Sequence, residues 1–268
     1  MQIFKSLIFN IILYTTLIPV ALLIILLYPF VSTINLQKIS SKWILFILHT
    51  LRIVCGITWE VNGKENIPET PFILVSNHQS AWESFYLQTL CSPSASIIKK
   101  ELLYIPFFGW ALACLKPIHL RRKKKIKSLK KVLSSGKKKI SSGFTIIIFP
   151  EGTRSKPEDG IKKFSNSCGL LSIENNVPIV PICHNSGSFW INRRFTKKEG
   201  EVKMIRLRAK ALKLLLRIWE ELKGERGNED GRIFLIGLVL LPGRLDDGNI
   251  GKVLTGKRHH FRGNFQPG

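Results

Sequence analysis

The sequence predicts an α/β fold in which a mostly parallel central sheet is covered by helices, preceded by an N-terminal membrane-associated helical segment. Short apolar runs typical of buried strands alternate with helical patterns over residues 57–200, which favours parallel pairing with helices on both faces. Residues 6–37 contain no charged side chain. The last part of the chain is basic and rich in glycine. We therefore divide the chain into a membrane-associated segment (1–56), a catalytic domain (57–200) and an atypical basic tail (201–268).

The N-terminal segment is apolar over a length that suits a membrane. Leu7 to Leu27 would form a helix of about 30 Å, which matches the hydrocarbon core of a bilayer. A secretory signal peptide is the alternative, but its apolar region is about 7–15 residues long and ends at small residues. Pro19 and Pro29 interrupt helical hydrogen bonding, so a re-entrant or interfacial arrangement stays open. A second apolar stretch, Trp43 to Val54, is too short to span comfortably.

The charges and cysteines around this segment indicate its cellular side. Lys38 and Lys42 follow it and the remainder of the chain is basic, which favours the cytoplasmic side for the domain, although Lys5 precedes it. The five cysteines are scattered and include no Cys-x-x-Cys pair, as is typical of a reducing compartment. We expect neither a disulfide framework nor a metal site.

The domain consists of predicted strands and helices in alternation. Each predicted strand is a short apolar run, and about 140 residues are enough for one such core. The predicted strands are Phe72 to Ser76, Ser96 to Lys99, Phe144 to Phe149 and Ile179 to Ile182. The predicted helices are Ser80 to Leu90 and Ile126 to Val132. Ligands of such sheets bind at the carboxyl ends of the strands, so the residues that follow each strand are candidates for a site.

A histidine and a carboxylate five residues apart follow the first of these strands. Histidine has an unperturbed pKa that suits a general base near neutrality, and such a base typically contributes about 10²–10⁴-fold to a rate. A nearby carboxylate orients and stabilises the imidazole. His78 and Glu83 are therefore the candidate catalytic pair. Ser80 and Glu83 also match a capping box at a helix start, and the two interpretations are compatible.

A second polar cluster, Glu151-Gly152-Thr153-Arg154, follows the strand at Phe144 to Phe149. Arg154 is a candidate phosphate ligand because a guanidinium can donate two parallel hydrogen bonds to a phosphate. Gly152 permits a tight turn and close approach of a ligand, and Thr153 adds a hydroxyl. Glu151 would either hold Arg154 or contact hydroxyls of the substrate. The alternative is a solvated surface turn.

These motifs, in this order, resemble those of the glycerolipid acyltransferases, most closely the 1-acylglycerol-3-phosphate (lysophosphatidic acid) acyltransferases. The resemblance runs from about Trp59 to about Lys198. The family's second block is matched by Lys99-Lys100-Glu101-Leu102 with Pro106 and Gly109, followed by Lys116 to Arg122, and its fourth block by Val177 to Ile182. The family usually carries Asp where Glu83 stands, and an acidic residue where Arg121 stands.

The resemblance implies a reaction and a set of ligands. His78, oriented by Glu83, would deprotonate the sn-2 hydroxyl of a 1-acylglycerol 3-phosphate, which attacks the thioester of acyl-coenzyme A or acyl carrier protein to give phosphatidic acid. Arg122 and the cluster 151–154 would hold the glycerol phosphate. No metal or organic cofactor is implied beyond the acyl donor. The alternatives are another acceptor, such as a different lysophospholipid or glycerol 3-phosphate, and a non-catalytic basic membrane protein that binds anionic lipid.

The charge balance indicates an anionic partner. The chain has 41 basic and 18 acidic residues, a net charge of +23, and Arg121 to Lys139 contains eleven of the basic residues with no acid. Such a run is usually a solvated helix face, but beside a phosphate site it would attract an anionic membrane surface and phosphate-bearing acyl donors. Aromatic residues are not interleaved with it, so we expect no nucleic acid.

The tail departs from the family. Met204 to Leu222 is predicted to be a basic amphipathic helix that could lie on an anionic membrane. The alternative is a divergent or frame-altered C-terminus that replaced the family's last strand. Residues 243–268 are predicted to be poorly ordered. His184, which follows the strand at Ile179 to Ile182, is a candidate for the rim of the site.

Overall fold

The computed structural model describes residues 1–69, 71–121, 125–156 and 164–206. Two long helices come first, α1 (Gln2–Leu27) and α2 (Thr33–Cys55). The Ser32 hydroxyl caps α2 by accepting a hydrogen bond from the backbone N–H of Asn35 at 3.3 Å. Helix α2 therefore begins ten residues before the apolar stretch that starts at Trp43. Gly56, in the left-handed conformation, ends α2.

The central sheet has seven strands among the described residues, in the order β1-β7-β6-β2-β5-β3-β4. Strands β2 to β6 are mutually parallel, whereas β7 is antiparallel to β6 and pairs in parallel with β1. The strands are β1 (Ile57–Asn62), β2 (Ile73–Ser76), β3 (Ser94–Lys99), β4 (Ile118–Leu120), β5 (Thr145–Ile148), β6 (Ile179–His184) and β7 (Gly200–Arg206). The predicted mostly parallel sheet is confirmed.

Helices cover both faces of the sheet, and the alternation of strand side chains divides the core in two. Leu74 of β2 packs into the layer that contains α1 and α2, whereas its neighbour Ile73 packs into the layer beneath the opposite helices. This follows from the period of two along a strand. The remaining helices are α3 (Trp82–Tyr86), α4 (Phe108–Cys114), α5 (Lys125–Ser141) and α6 (Ser167–Asn175).

Helix α1 has the properties of a membrane-associated helix. It is the one helix in the described part of the chain that is long and apolar enough to cross a membrane, by length and composition alone. It continues through Pro19 and leaves large apolar side chains exposed, among them Phe4, Ile11 and Leu26. An exposed apolar surface of this kind is typical of a membrane or protein interaction site. The cytoplasmic orientation stays a prediction.

Polar contacts also fix the two N-terminal helices to the domain. The buried Lys197 ammonium donates to the Asn10 side chain of α1 at 2.7 Å, and the Lys197 backbone N–H donates to the Ser6 hydroxyl at 2.9 Å. From α2, the Gln37 side chain bonds both the N–H and the carbonyl of Ser94 at the start of β3. Buried polar groups satisfied in this way orient the helices more specifically than apolar packing alone.

The prediction that a helix begins at Met204 is wrong. Residues 204–206 belong to strand β7, where Val202 and Met204 are buried on one face while Glu201 and Lys203 are exposed. The alternation and the backbone pairing with β1 and β6 outweigh the helical pattern of the residues that follow. The rest of the predicted helix and residues 243–268 lie outside the described residues.

Candidate active site

The loops that follow three adjacent strands, β6, β2 and β5, meet at one edge of the sheet. Asn77 directly follows β2, and its side-chain amide pairs with the backbone of His184 at the end of β6. The amide Nδ2 donates to the His184 carbonyl at 2.8 Å and Oδ1 accepts the His184 N–H at 3.1 Å. A side chain thus continues the pairing of the two strands by one step and fixes the direction in which the chain leaves β2.

His78 and Glu83 are in direct contact at this edge. The His78 Nδ1 lies 2.9 Å from the Glu83 Oε1, with 14% of the His78 side chain exposed and Glu83 completely buried. Because the buried carboxyl is ionised, Nδ1 must donate this hydrogen bond, which leaves Nε2 as the nitrogen that can accept a proton. The imidazole stacks on the ring of Phe149, with centroids 4.2 Å apart.

Five donors surround the Glu83 carboxylate. Besides His78, Oε1 accepts the backbone N–H groups of Gln79 and Ser80 at 2.9 and 2.7 Å. Oε2 accepts the hydroxyls of Ser80 and Ser186, the latter at 2.7 Å. Burial raises the pKa of Glu83, but the His78 hydrogen bond, the neighbouring imidazoles and the Ser80 hydroxyl outweigh burial and lower the pKa to about 2. The carboxylate is therefore ionised at any pH at which the histidine can act as a base.

The capping interaction and the contact with histidine occur together. The Glu83 carboxylate accepts the Ser80 N–H, as in a capping box, and the Ser80 hydroxyl accepts the Trp82 N–H at 3.0 Å where α3 begins. A carboxylate in the first helical turn that reaches back to the cap also reaches the loop that holds His78. The two sequence interpretations are thus compatible in the structure.

The loop after β5 is bonded to the loop of His78. The Glu151 carboxylate accepts the His78 backbone N–H at 3.0 Å and also the Ser155 hydroxyl. The Ser155 N–H in turn donates to the His78 carbonyl at 2.8 Å. This contact of Glu151 with the histidine backbone is a role that the sequence did not indicate.

Arg154 is half-buried in the same loop. Its Nη1 lies 3.5 Å from the Asn192 side-chain oxygen. Gly152 has a φ of 67°, and a Cβ added there would meet no atom of the described chain within 4 Å, so this glycine serves the left-handed turn and not close packing. Thr153 is exposed. Arg122 lies outside the described residues.

The sequence interpretation also missed the contact of Ser186 with Glu83 and misplaced His184. Ser186, completely buried, donates to Glu83 from 103 positions away, and no local pattern indicates such a contact. His184 is buried and not at the rim as predicted. Its Nε2 lies 2.9 Å from the Asn77 carbonyl and its Nδ1 accepts the Ser186 N–H. These contacts show that it is a structural histidine, and its burial lowers its pKa.

A carboxylate-bound imidazole and an arginine, on two hydrogen-bonded loops at the carboxyl edge of a mostly parallel sheet, are the arrangement of a candidate α/β enzyme site. In a comparison with known proteins, residues 58–185 match the family described as Acyltransferase. The match covers just under half of the chain.

The chain is also similar to proteins named as acyltransferases and to a solved structure. The chain is 40% identical over 167 residues to a 1-acyl-sn-glycerol-3-phosphate acyltransferase of Pseudomonas aeruginosa, covering 62% of this chain and 65% of that protein. A Saccharomyces cerevisiae protein of the same name is 31% identical over 152 residues, covering 55% of this chain and 49% of that one. The chain thus matches from about half to just under two thirds of these relatives' lengths.

The fold is shared with the crystal structure of the 1-acyl-sn-glycerophosphate (LPA) acyltransferase PlsC from Thermotoga maritima. The TM-score is 0.61 at 22% sequence identity, covering 77% of this chain and 84% of that one. At this identity the likeness concerns the fold alone, and it includes the mixed, mostly parallel sheet described above.

Proposed function

We propose that this protein transfers an acyl group to the sn-2 hydroxyl of a 1-acylglycerol 3-phosphate and so produces phosphatidic acid. The single observation that carries the proposal is the 2.9 Å contact between His78 Nδ1 and the buried Glu83 carboxylate. It orients an imidazole whose other nitrogen is positioned to act as a base. The names of the relatives support the choice of acceptor.

The proposed reaction needs a base and a nucleophile that the substrate itself supplies. As the hydroxyl oxygen attacks the thioester carbonyl of acyl-coenzyme A or acyl carrier protein, its proton passes to the Nε2 of His78. The Glu83 charge stabilises the imidazolium that forms. The new carbon–oxygen bond replaces the carbon–sulfur bond, and the thiol leaves with the proton that the imidazolium returns. We propose that no metal or organic cofactor takes part.

The phosphate of the acceptor would bind in the loop after β5. Arg154 supplies a permanent positive charge and a forked set of donors, and the turn at Glu151, Gly152 and Thr153 brings it to the edge of the sheet that holds His78. Arg122 is proposed as a second phosphate ligand from the resemblance of its motif. The exposed apolar face of α1 supports a membrane location, and we propose that the domain lies on its cytoplasmic side against an anionic surface.

An acyl-transfer assay on detergent-solubilised protein tests the proposal. Two labelled donors, acyl-coenzyme A and acyl carrier protein that carries the same acyl group, are each supplied with one of three acceptors. The acceptors are 1-acylglycerol 3-phosphate, glycerol 3-phosphate and a lysophospholipid with a head group. We expect phosphatidic acid from the wild type, a loss of about 10²–10⁴-fold in His78→Ala and a raised acceptor KM in Arg154→Ala.

Matched controls separate specific effects from general ones. His49 and Arg52 are exposed residues of α2, away from the three strand-end loops, so His49→Ala and Arg52→Ala should retain the wild-type rate and KM. Wild-type activity in His78→Ala would refute the proposal that His78 is the general base. Binding of anionic lipid by folded wild-type protein, without ester formation from any donor or acceptor, would favour the non-catalytic alternative.

A further inference from the structure

A groove of about 560 Å³ opens away from the candidate active site. Its walls include the segments that immediately precede β4 and β5, whereas Arg154 follows the carboxyl end of β5. The other walls are the first residues of α2 and the second half of α5. The groove-lining residues used below are Ser32, Thr33, Lys116, His119, Lys131, Ser135, Lys138 and Lys139. Because these strands are parallel, the groove lies at the opposite edge of the sheet from the candidate site.

The groove concentrates positive charge without counter-charge. Four lysines line it, Lys116, Lys131, Lys138 and Lys139, and the sequence holds no Asp or Glu between Glu101 and Glu151. The ion pairs within the described residues are Lys5 with Glu199 and His78 with Glu83, so none of the four groove lysines takes part in one. The fold therefore brings like charges together from two separate segments, and they repel each other.

The same repulsion adds to the effect of burial on the pKa of two groups of the groove. Burial, followed by the charge of Lys116, lowers the pKa of Lys139. Burial, followed by the charges of Lys131 and Lys100, lowers the pKa of His119. A bound anion would offset the repulsion, and the hydroxyls of Thr33 and Ser135 add neutral donors to the ammonium groups. Several donors around one negative charge are the chemistry of a phosphate site.

The surroundings of the groove indicate the source of the phosphate. Ser32, on its wall, immediately follows the turn between the apolar helices α1 and α2. In that turn Tyr28 and Phe30 are 44% and 85% exposed. A cationic groove next to a protruding aromatic turn suits a ligand whose phosphate lies at the boundary of a hydrocarbon layer. A free phosphate has no apolar part to occupy this position.

We propose that the groove binds the phosphate of an anionic phospholipid at the membrane surface, as a site separate from the one proposed for the acceptor. The groove would hold a lipid of the surrounding membrane and thereby fix the depth of the domain. This proposal does not depend on the acyl-transfer chemistry, since lipid binding can be measured without turnover.

Two pairs of lysines on α5 offer a matched test. Lys131 and Lys138 line the groove, whereas Lys130 and Lys137, one position earlier in each case, do not. All four are exposed, so Lys131→Gln/Lys138→Gln and Lys130→Gln/Lys137→Gln each remove two exposed charges from the same helix. The measurement is the retention of labelled phosphatidylglycerol or phosphatidylcholine by full-length protein in mixed micelles. Thermal unfolding confirms that each variant is folded.

We expect wild-type protein to prefer phosphatidylglycerol and the Lys131→Gln/Lys138→Gln variant to lose about 25-fold in affinity, at about fivefold for each lysine. The Lys130/Lys137 pair should lose less than about threefold. Equal losses in the two pairs would overturn the proposal in favour of diffuse attraction. Unchanged binding in the Lys131/Lys138 pair would also overturn it, as would displacement of the lipid by inorganic phosphate at equal concentration.

Discussion

Replacement of Glu83 by glutamine separates the charge of this residue from its shape. The carboxylate accepts three donors at Oε1 and two hydroxyls at Oε2. An amide can keep the first three if its oxygen occupies the Oε1 position. Its NH₂ then faces the hydroxyls of Ser80 and Ser186, which can rotate and accept hydrogen bonds instead. We therefore expect Glu83→Gln to fold with the wild-type geometry and without the negative charge.

The catalytic consequence follows from the missing charge. In catalytic triads the corresponding change from carboxylate to amide lowers kcat about 10⁴-fold while the geometry stays intact. If His78 is the base, Glu83→Gln should lose kcat by no more than the roughly 10²–10⁴-fold that the base contributes, because the imidazolium is no longer stabilised. The acceptor KM should stay near the wild-type value, since the proposed phosphate ligands are unchanged.

The stability consequence depends on pH in a defined direction. The pKa of Glu83 is lowered from 4.5 to about 2 in the folded protein, so its ionisation contributes stability that is fully present above about pH 4.5. That contribution is lost as the pH falls from about 4.5 towards 2, and it amounts to about 3 kcal/mol at 1.36 kcal/mol per pKa unit. Glu83→Gln lacks this contribution at every pH.

The assay compares free energies of unfolding by urea at pH 6, 4 and 3 in detergent, together with initial rates at pH 7. The difference in the free energy of unfolding between wild type and Glu83→Gln should be greatest at pH 6 and should decrease as the pH falls. Glu201→Gln is the control, because Glu201 is an exposed carboxylate of β7, and it should match the wild type in both measurements. A kcat within tenfold of the wild type, or a gap that does not change with pH, would refute the reasoning.

Two further substitutions test contacts that the sequence did not reveal. Ser186→Ala removes one donor to the Glu83 carboxylate, and with a net worth of about 1 kcal/mol for that bond kcat should fall about five- to tenfold at unchanged KM in steady-state kinetics. Lys197→Met removes the ammonium that donates to Asn10 and lies 5.4 Å from the Phe9 ring centroid. It leaves a buried amide unpaired, so stability should fall by about 1–3 kcal/mol in a thermal unfolding measurement.

Exposed neighbours supply the controls. Ser188→Ala and Lys198→Met alter side chains of the same two segments that are exposed, and neither should change the measured property. Equal kcat in the Ser186 and Ser188 variants would mean that Oε2 needs no donor from the loop after β6. Equal melting temperatures in the two lysine variants would mean that the bond from the Lys197 ammonium to Asn10 does not help to hold α1.

The strands around the site were predictable because each is a short, nearly uniform apolar run. Ile73–Ser76 and Thr145–Ile148 are buried on both faces and are followed within three residues by polar side chains, so sequence alone could indicate both loops. The contact between His78 and Glu83 was predictable because it is local. A Glu83 side chain that reaches back to the start of α3 also reaches the loop that holds His78.

The strand, the contact and the residue position that the sequence did not predict depend on parts of the chain that are far apart in sequence. Strand β7 depends on pairing with β1, whose partner residues lie about 140 positions earlier, and propensity within a window of the tail cannot register that pairing. Ser186 reaches Glu83 only because β6 lies beside β2 in the sheet. His184 carries the same side chain as a catalytic base, and only the contact of its ring with the Asn77 carbonyl shows that it is structural.

The hydrogen bonds between the loop after β2 and the loop after β5 explain how this fold can serve the proposed reaction. In a 1-acylglycerol 3-phosphate, the sn-2 hydroxyl and the phosphate are separated by a short, fixed number of bonds, so the base and the phosphate ligand must be held at a matching separation. Strands β2 and β5 are hydrogen-bonded neighbours, which brings their following loops together. Glu151 and Ser155 then bond to the backbone of His78, so the separation is set before substrate arrives. Preorganised geometry of this kind lowers the entropic cost of reaching the reactive arrangement.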